Sequence, residues 1–174
     1  MKTIAIILLV GVLFLGAISC SNSNRNNQTQ ISLIKENDTL HYVQIKTDTS
    51  LNKWELPYPV YQFQIGDIDN NGNDDILVGV IKTTRFDSTM SKRLFIFKNY
   101  NGLVRPLWLG SRLGQPLVDF CFVKSNEEAR IRSLEKEKSG KYLVAEYKWR
   151  SFGLEFTKYI NREINYNKAL ALLK

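Results

Sequence analysis

Between His41 and Ile160 the chain is a near-continuous succession of apolar, β-branched and aromatic runs, interrupted only by compact turn signals. Runs of this length and composition read as strands. Candidate strands cover 41–47, 60–67, 75–83, 93–100, 103–109, 117–124, 129–136, 141–150 and 154–160. Their separators include Asn70-Asn71-Gly72, Asn99-Tyr100-Asn101-Gly102, Ser139-Gly140 and Phe152-Gly153, residue types that tolerate tight turns. Connections this short favour antiparallel hairpins and a meander. The stretch from Asn161 to Lys174 ends in KALALLK, whose helical propensity predicts a short terminal helix.

The patterning also says how these strands are covered. In 60–67, Tyr61, Phe63 and Ile65 face one way, and Gln62 and Gln64 the other. DILVGVI and RLFIFK are apolar on both faces, which predicts interior strands covered above and below. Pro106 lacks a donor and places the strand 103–109 at a sheet edge. Four strands from Val60 to Leu109 and four from Leu117 to Ile160 form two consecutive four-stranded units. Neither unit can bury its apolar faces alone, so they are expected to pack together, as two sheets or as propeller-like blades. The expectation is a mainly β domain over 31–174, an antiparallel meander of eight to nine strands.

The start of the chain has a different character. In MKTIAIILLVGVLFLGAISC, Lys2 precedes a run of 15 apolar or small residues, Ile4 to Ile18. That is short of the roughly 20 a membrane-spanning helix needs and has the layout of a cleaved secretory signal. Ala17-Ile18-Ser19-Cys20 resembles the bacterial lipobox, which implies a signal peptide over 1–19, a lipidated Cys20 and anchorage in the membrane. Ser21, rather than an aspartate, implies the outer membrane by resemblance to lipoprotein sorting in enteric bacteria. The following SNSNRNNQTQ has no large apolar residue, so 20–30 is expected to be a flexible tether. With Cys20 taken by lipid, Cys121 stands alone, no internal disulfide can form, and a buried inert thiol is expected there. The net charge of +7 falls to +6 once the leader is removed. The basic residues are scattered rather than gathered, so solubility explains them and no nucleic-acid partner is expected.

The segment with chemistry in it is FQIGDIDNNGNDDILVGV, residues 63–80. Counting from Asp67, oxygen-bearing side chains fall at the first, third, fifth and ninth positions: Asp67, Asp69, Asn71 and Asp75. Gly72 takes the sixth, where a sharp turn needs permissive dihedrals, and Asn73 can offer its backbone carbonyl at the seventh. The carboxylates of Asp67, Asp69 and Asp75, gathered within one short loop, repel one another unless a cation is present. Calcium, a hard ion taking six to eight oxygens, suits such a loop. The loop is not an EF-hand, because Val78 stands where the bidentate glutamate belongs and strands flank it. The stretch resembles the FG-GAP or VCBS repeat, a β-hairpin calcium loop of propeller blades and bacterial surface proteins. Phe63, Gly66, Asp67, Asp69, Asn71, Gly72, Asp75, Ile76, Val78 and Gly79 meet its pattern. The resemblance implies Asp67, Asp69, Asn71 and Asp75 as side-chain ligands and Asn73 as the carbonyl ligand of Ca2+. It covers one copy only, within 60–109. Asn71 stands where aspartate is usual, and the matching part of the second half, KSNEEARIRS, has no such loop. A wider segment, residues 83–120, resembles a group of small bacterial lipoproteins.

Ahead of this loop lies WELPYPVY, in which Trp54, Tyr58 and Tyr61 could stack on sugar rings or cap the sheet core. The second role is the commoner one. Trp108 and Trp149 lie in strand patterns and are expected to pack. Arg105, Arg112, Arg130 and Arg132 could grip phosphate or carboxylate, although a solvated face is the usual role. The single histidine, His41, is expected at the surface and rules out a multi-histidine metal site. No nucleophile elbow, phosphate loop or zinc-protease motif occurs. The reading is a non-enzymatic, lipid-anchored, calcium-stabilised module of the cell envelope whose partner is an envelope protein or a glycan. Alternatives are a structural accessory subunit of an envelope assembly and, further off, a hydrolase with an unrecognised site.

Overall fold

The computed structural model describes residues 29–85, 87–110, 113–125 and 128–174. The leader, Cys20 and the tether as far as residue 28 lie outside the described residues, as does Arg112. The strands in chain order are β1 (Gln30–Lys35), β2 (His41–Lys46), β3 (Leu51–Leu56), β4 (Val60–Gly66), β5 (Asp75–Thr84), β6 (Asp87–Tyr100), β7 (Leu103–Leu109), β8 (Leu117–Ser125), β9 (Glu128–Lys136), β10 (Tyr142–Arg150) and β11 (Gly153–Ile164). A single described helix, α1 (Tyr166–Leu173), follows. Each sheet is an antiparallel meander of consecutive strands, β1-β2-β3, β4-β5-β6-β7 and β8-β9-β10-β11. Among the described residues no helix is long and apolar enough to cross a membrane.

The mainly β fold and both four-stranded units are present, and a third sheet stands in front of them. The expected count of eight to nine strands missed β1, assigned partly to the tether, and β3. Both have short amphipathic patterns because only one of their faces is covered. In β3 the charged Lys53 and Glu55 alternate with Trp54 and Leu56, and in β1 Ile31 and Leu33 alternate with Ser32. Register places Leu33 beside Val43 and Val43 beside Trp54, so these residues share the inner face.

The three sheets stack in layers, with β4–β7 in the middle. One face of this sheet sets Ile76, Val78, Val80, Phe95 and Phe97 against Val43, Ile45 and Leu56 of the first sheet. The other face sets Leu77, Leu94 and Ile96 against Phe120, Ile131, Leu143 and Ala145 of the third. That double cover is why β5 and β6 are apolar on both sides. Each such side chain contributes about 1.5–3 kcal/mol on full burial. Leu134 and Val144, on the far side of the third sheet, are covered by Ala169 and Leu173 of α1. Pro106 lies in β7, the edge of the middle sheet, as its missing donor requires.

Four local expectations are corrected. Tyr61 does not share a face with Phe63: a register shift between Val60 and Gln62 turns Tyr61 toward the third sheet and leaves Phe63 facing the first. The terminal helix is shorter than 161–174 because Asn161 and Ile164 still pair with Val144 and Tyr142, extending β11. His41 is buried, and its Nδ1–H donates to the Tyr58 carbonyl at 3.2 Å, because β2 turns this position inward beside Val43. Cys121 is only half-buried, its thiol pushed up from its ordinary value by the burial it has.

Candidate metal centre

Residues 67–74 join β4 to β5. Positive φ at Asn70 (54°) and Gly72 (84°) reverses the chain within this short span, a conformation glycine adopts without penalty and asparagine at small cost. The Asp67 carboxylate organises the turn, accepting from the Asn71 amide at 2.9 Å and the Gly72 amide at 2.8 Å. Asn71 Oδ1 accepts from the Asn73 amide at 2.8 Å. Between the two acids, Ile68 is 1% exposed and joins the core shared with the third sheet. The loop is therefore bolted to the protein interior by its second residue.

Carboxylate oxygens of Asp67, Asp69 and Asp75 all lie within 4.8 Å of one another. Asp75 is fully buried. Its Oδ2 accepts from the Ile68 amide at 3.1 Å, whereas its Oδ1 is buried with no hydrogen-bond partner. Burial first, and then the neighbouring Asp69 and Asp67 charges, push the Asp75 carboxyl up to about 7 against the pull of the Ile68 amide and Lys98. A buried acceptor left unpaired is costly, and here it faces two further acids. An oxygen-seeking cation would satisfy Oδ1 and cancel the repulsion at once. The all-oxygen donor set fits calcium.

Lys98, on β6 one residue past the Ile76–Phe97 pair, forms an ion pair with Asp69. Its ammonium is held above its ordinary value chiefly by that hydrogen bond. One ammonium against three carboxylates leaves the cluster short of positive charge. Lys98 was not singled out from the sequence. It lies 29 residues from Asp69, and only the β5–β6 register brings the two together.

Of the five candidate ligands, the structure gathers Asp67, Asp69 and Asp75. Asn71 joins them through a hydrogen bond from its Nδ2 to Asp69, and Asn73 Nδ2 donates to Asn71 Oδ1 at 3.0 Å. Both asparagines are exposed. Trp54, Tyr58 and Tyr61 do not form one platform. Trp54 lies 5.7 Å from Phe97 and Tyr58 6.2 Å from Phe95, both between the first and middle sheets. Tyr61 lies on the opposite face, 6.3 Å from Phe120. Arg130 pairs with Glu128, and Arg132 bonds Glu146 at 3.0 Å and the Leu172 and Lys174 carbonyls, so both serve internal contacts. Arg105 is exposed on β7.

Fold and site together define a class: a stack of antiparallel meander sheets closed by a helix, with an acidic loop on the first hairpin of the middle sheet. No family model and no curated protein matches the chain.

Proposed function

We infer that the chain is a lipid-anchored domain of the cell envelope, stabilised by calcium at the 67–75 loop, that binds a partner rather than turning over a substrate. The observation carrying the metal is the buried, unpartnered Asp75 Oδ1 inside a triad of acids. Asp67, Asp69 and Asp75 would hold the ion, with Asn71 and the Asn73 carbonyl completing the set by resemblance. The ion's contribution is charge neutralisation. Because Ile68 and Asp75 are both buried, the loop is rigidly connected to the core between the middle and third sheets, so occupancy stabilises the whole domain. The anchor is supported by Lys2, the short apolar run and the Ala17–Cys20 tetrad. The polar segment 20–30 would hold the binding domain a short distance from the bilayer, on the outer membrane by its Ser21.

The exposed edge of β11, where Phe156 and Tyr159 are 46% and 47% exposed, favours a second reading as an accessory subunit of an envelope assembly.

Thermal melts with calcium and with chelator test the metal. At calcium about 100 times its Kd, linkage predicts about 2.7 kcal/mol and a rise in Tm of about 5–10 °C. Equal melting temperatures would remove calcium from the account. Labelled palmitate should enter the full-length precursor in a bacterial host and fail to enter Cys20→Ala; equal labelling of the two would remove the anchor.

A further inference from the structure

The cluster of Asp67, Asp69 and Asp75 already has a cation beside it, supplied by the chain itself. Ile76 of β5 pairs with Phe97 of β6, and Asp75 and Lys98 are the next residues out from that pair. The Lys98 ammonium goes to Asp69, with which it forms the ion pair, and the charges of Asp75 and Asp67 act on it as well. On the β7 side the register sets Arg105 against Lys98. A second cation there leaves the acids of the loop as the counter-charge of this lysine.

Lys98 is an incomplete substitute for a metal ion. Both Asp69 oxygens carry a donor, the Lys98 ammonium on Oδ2 and the Asn71 side-chain amide on Oδ1. Asn71 Oδ1 is engaged in turn, by the Asn73 amide at 2.8 Å and Asn73 Nδ2 at 3.0 Å. The fully buried Asp75, within 4.8 Å of both other acids, still has an Oδ1 without a partner. One ammonium therefore pairs with one acid and leaves the buried oxygen unserved. A divalent ion with six to eight oxygen ligands can engage all three acids. An ion that takes Asp69 arrives close to the ammonium, and like charges a few ångströms apart in a partly buried site repel strongly. The Lys98 side chain is 29% exposed, so its ammonium has solvent to move into.

We propose that Lys98 is a tethered counter-cation that calcium displaces from Asp69, so that this lysine sets how tightly the loop holds the ion. This role rests on the calcium reading above and places its regulation on β6, outside the loop. In the metal-free form the ammonium opposes the acids. In the loaded form the ion does so, and the ammonium is released to solvent. The exchange also selects for charge. A monovalent ion that replaces the ammonium gains nothing in charge, whereas a divalent ion adds one and serves Asp75 as well.

Two measurements on the full chain in nonionic detergent test this role. Acetylation of Lys98 by acetic anhydride, read by peptide mass spectrometry, should be slow in chelator and rise several-fold in calcium, because an ion pair favours the unreactive charged amine. Sodium chloride of equal ionic strength should leave it slow. In calorimetric calcium titrations, Lys98→Met keeps the apolar stem, drops the charge, and should bind at least about tenfold more tightly than the parent. Lys98→Arg keeps the charge and should bind like the parent or more weakly. The labelling needs only the parent protein, so it decides the matter even if Lys98→Met does not fold without metal. The role is overturned if folded Lys98→Met binds calcium no more tightly than the parent, or if sodium releases Lys98 as calcium does. A parent that binds calcium with Lys98 labelling unchanged removes this role and leaves the metal site standing. A parent that binds no calcium removes both.

Discussion

At the residue scale the molecule turns on acids whose environments differ. Asp75 is buried beside two like charges with one oxygen unpaired. Asp75→Asn retains the shape, lets the amide oxygen take the Ile68 N–H, and offers an amide donor to the neighbouring acids. Its metal-free melt should therefore rise, by about 1–3 kcal/mol equivalent, while the stabilisation by calcium shrinks or vanishes. Differential scanning calorimetry with and without calcium reads both signs. Glu137 is the opposite case. Its burial would raise the carboxyl, but Arg162 at 2.6 Å and the Glu163 amide at 2.8 Å outweigh that and hold it below its ordinary 4.5. A lowered native value means the contribution is full above the unfolded value and is lost as pH falls through the native one. Glu137→Gln should accordingly melt below the parent at neutral pH, with the gap closing in acid below about 4.5, as melts across a pH series would show.

At the element scale, patterning predicted most of the architecture because strand periodicity is a local property. The bounds 103–109 were read off directly, and β4, β5, β8, β9 and β10 within a residue or so, since turn residues such as Asn101-Gly102 mark their ends. β1 and β3 were missed, because six-residue amphipathic strands beside polar segments carry little signal of their own. α1 depends on its start. Asn165 has extended backbone angles and its side chain accepts from the Lys168 amide at 2.9 Å. Asn165→Ala should cost about 1 kcal/mol, visible as a lower urea midpoint with unchanged slope. The helix covers Leu134 and Val144, so its fraying exposes the outer face of the third sheet.

At the scale of the whole molecule, the middle sheet is held from both sides, and two glycines of the loop pattern belong to that packing. A Cβ on Gly66 would stand 2.3 Å from the Phe122 ring, and one on Gly79 would stand 2.5 Å from the Tyr61 ring. Gly66 therefore marks the close approach of the middle and third sheets, a role separate from turn geometry. Gly66→Ala should destabilise by about 1–3 kcal/mol through overpacking. Its denaturation should remain a single transition, because the core it disturbs is shared between sheets. Two separate transitions in the parent protein would mean that the sheets unfold independently.

By itself the sequence determined the strand periodicity, the turns, the need to cover both faces of β5 and β6, and the spacing of acids from Asp67 to Asp75. All of these are encoded within a few consecutive residues. Only the tertiary structure decided that the β1–β3 sheet supplies the second cover, that Lys98 reaches Asp69, and that Trp54 and Tyr61 lie on opposite faces. Those outcomes depend on register and on stacking between segments far apart in the chain, and local patterning does not specify which distant surfaces will meet.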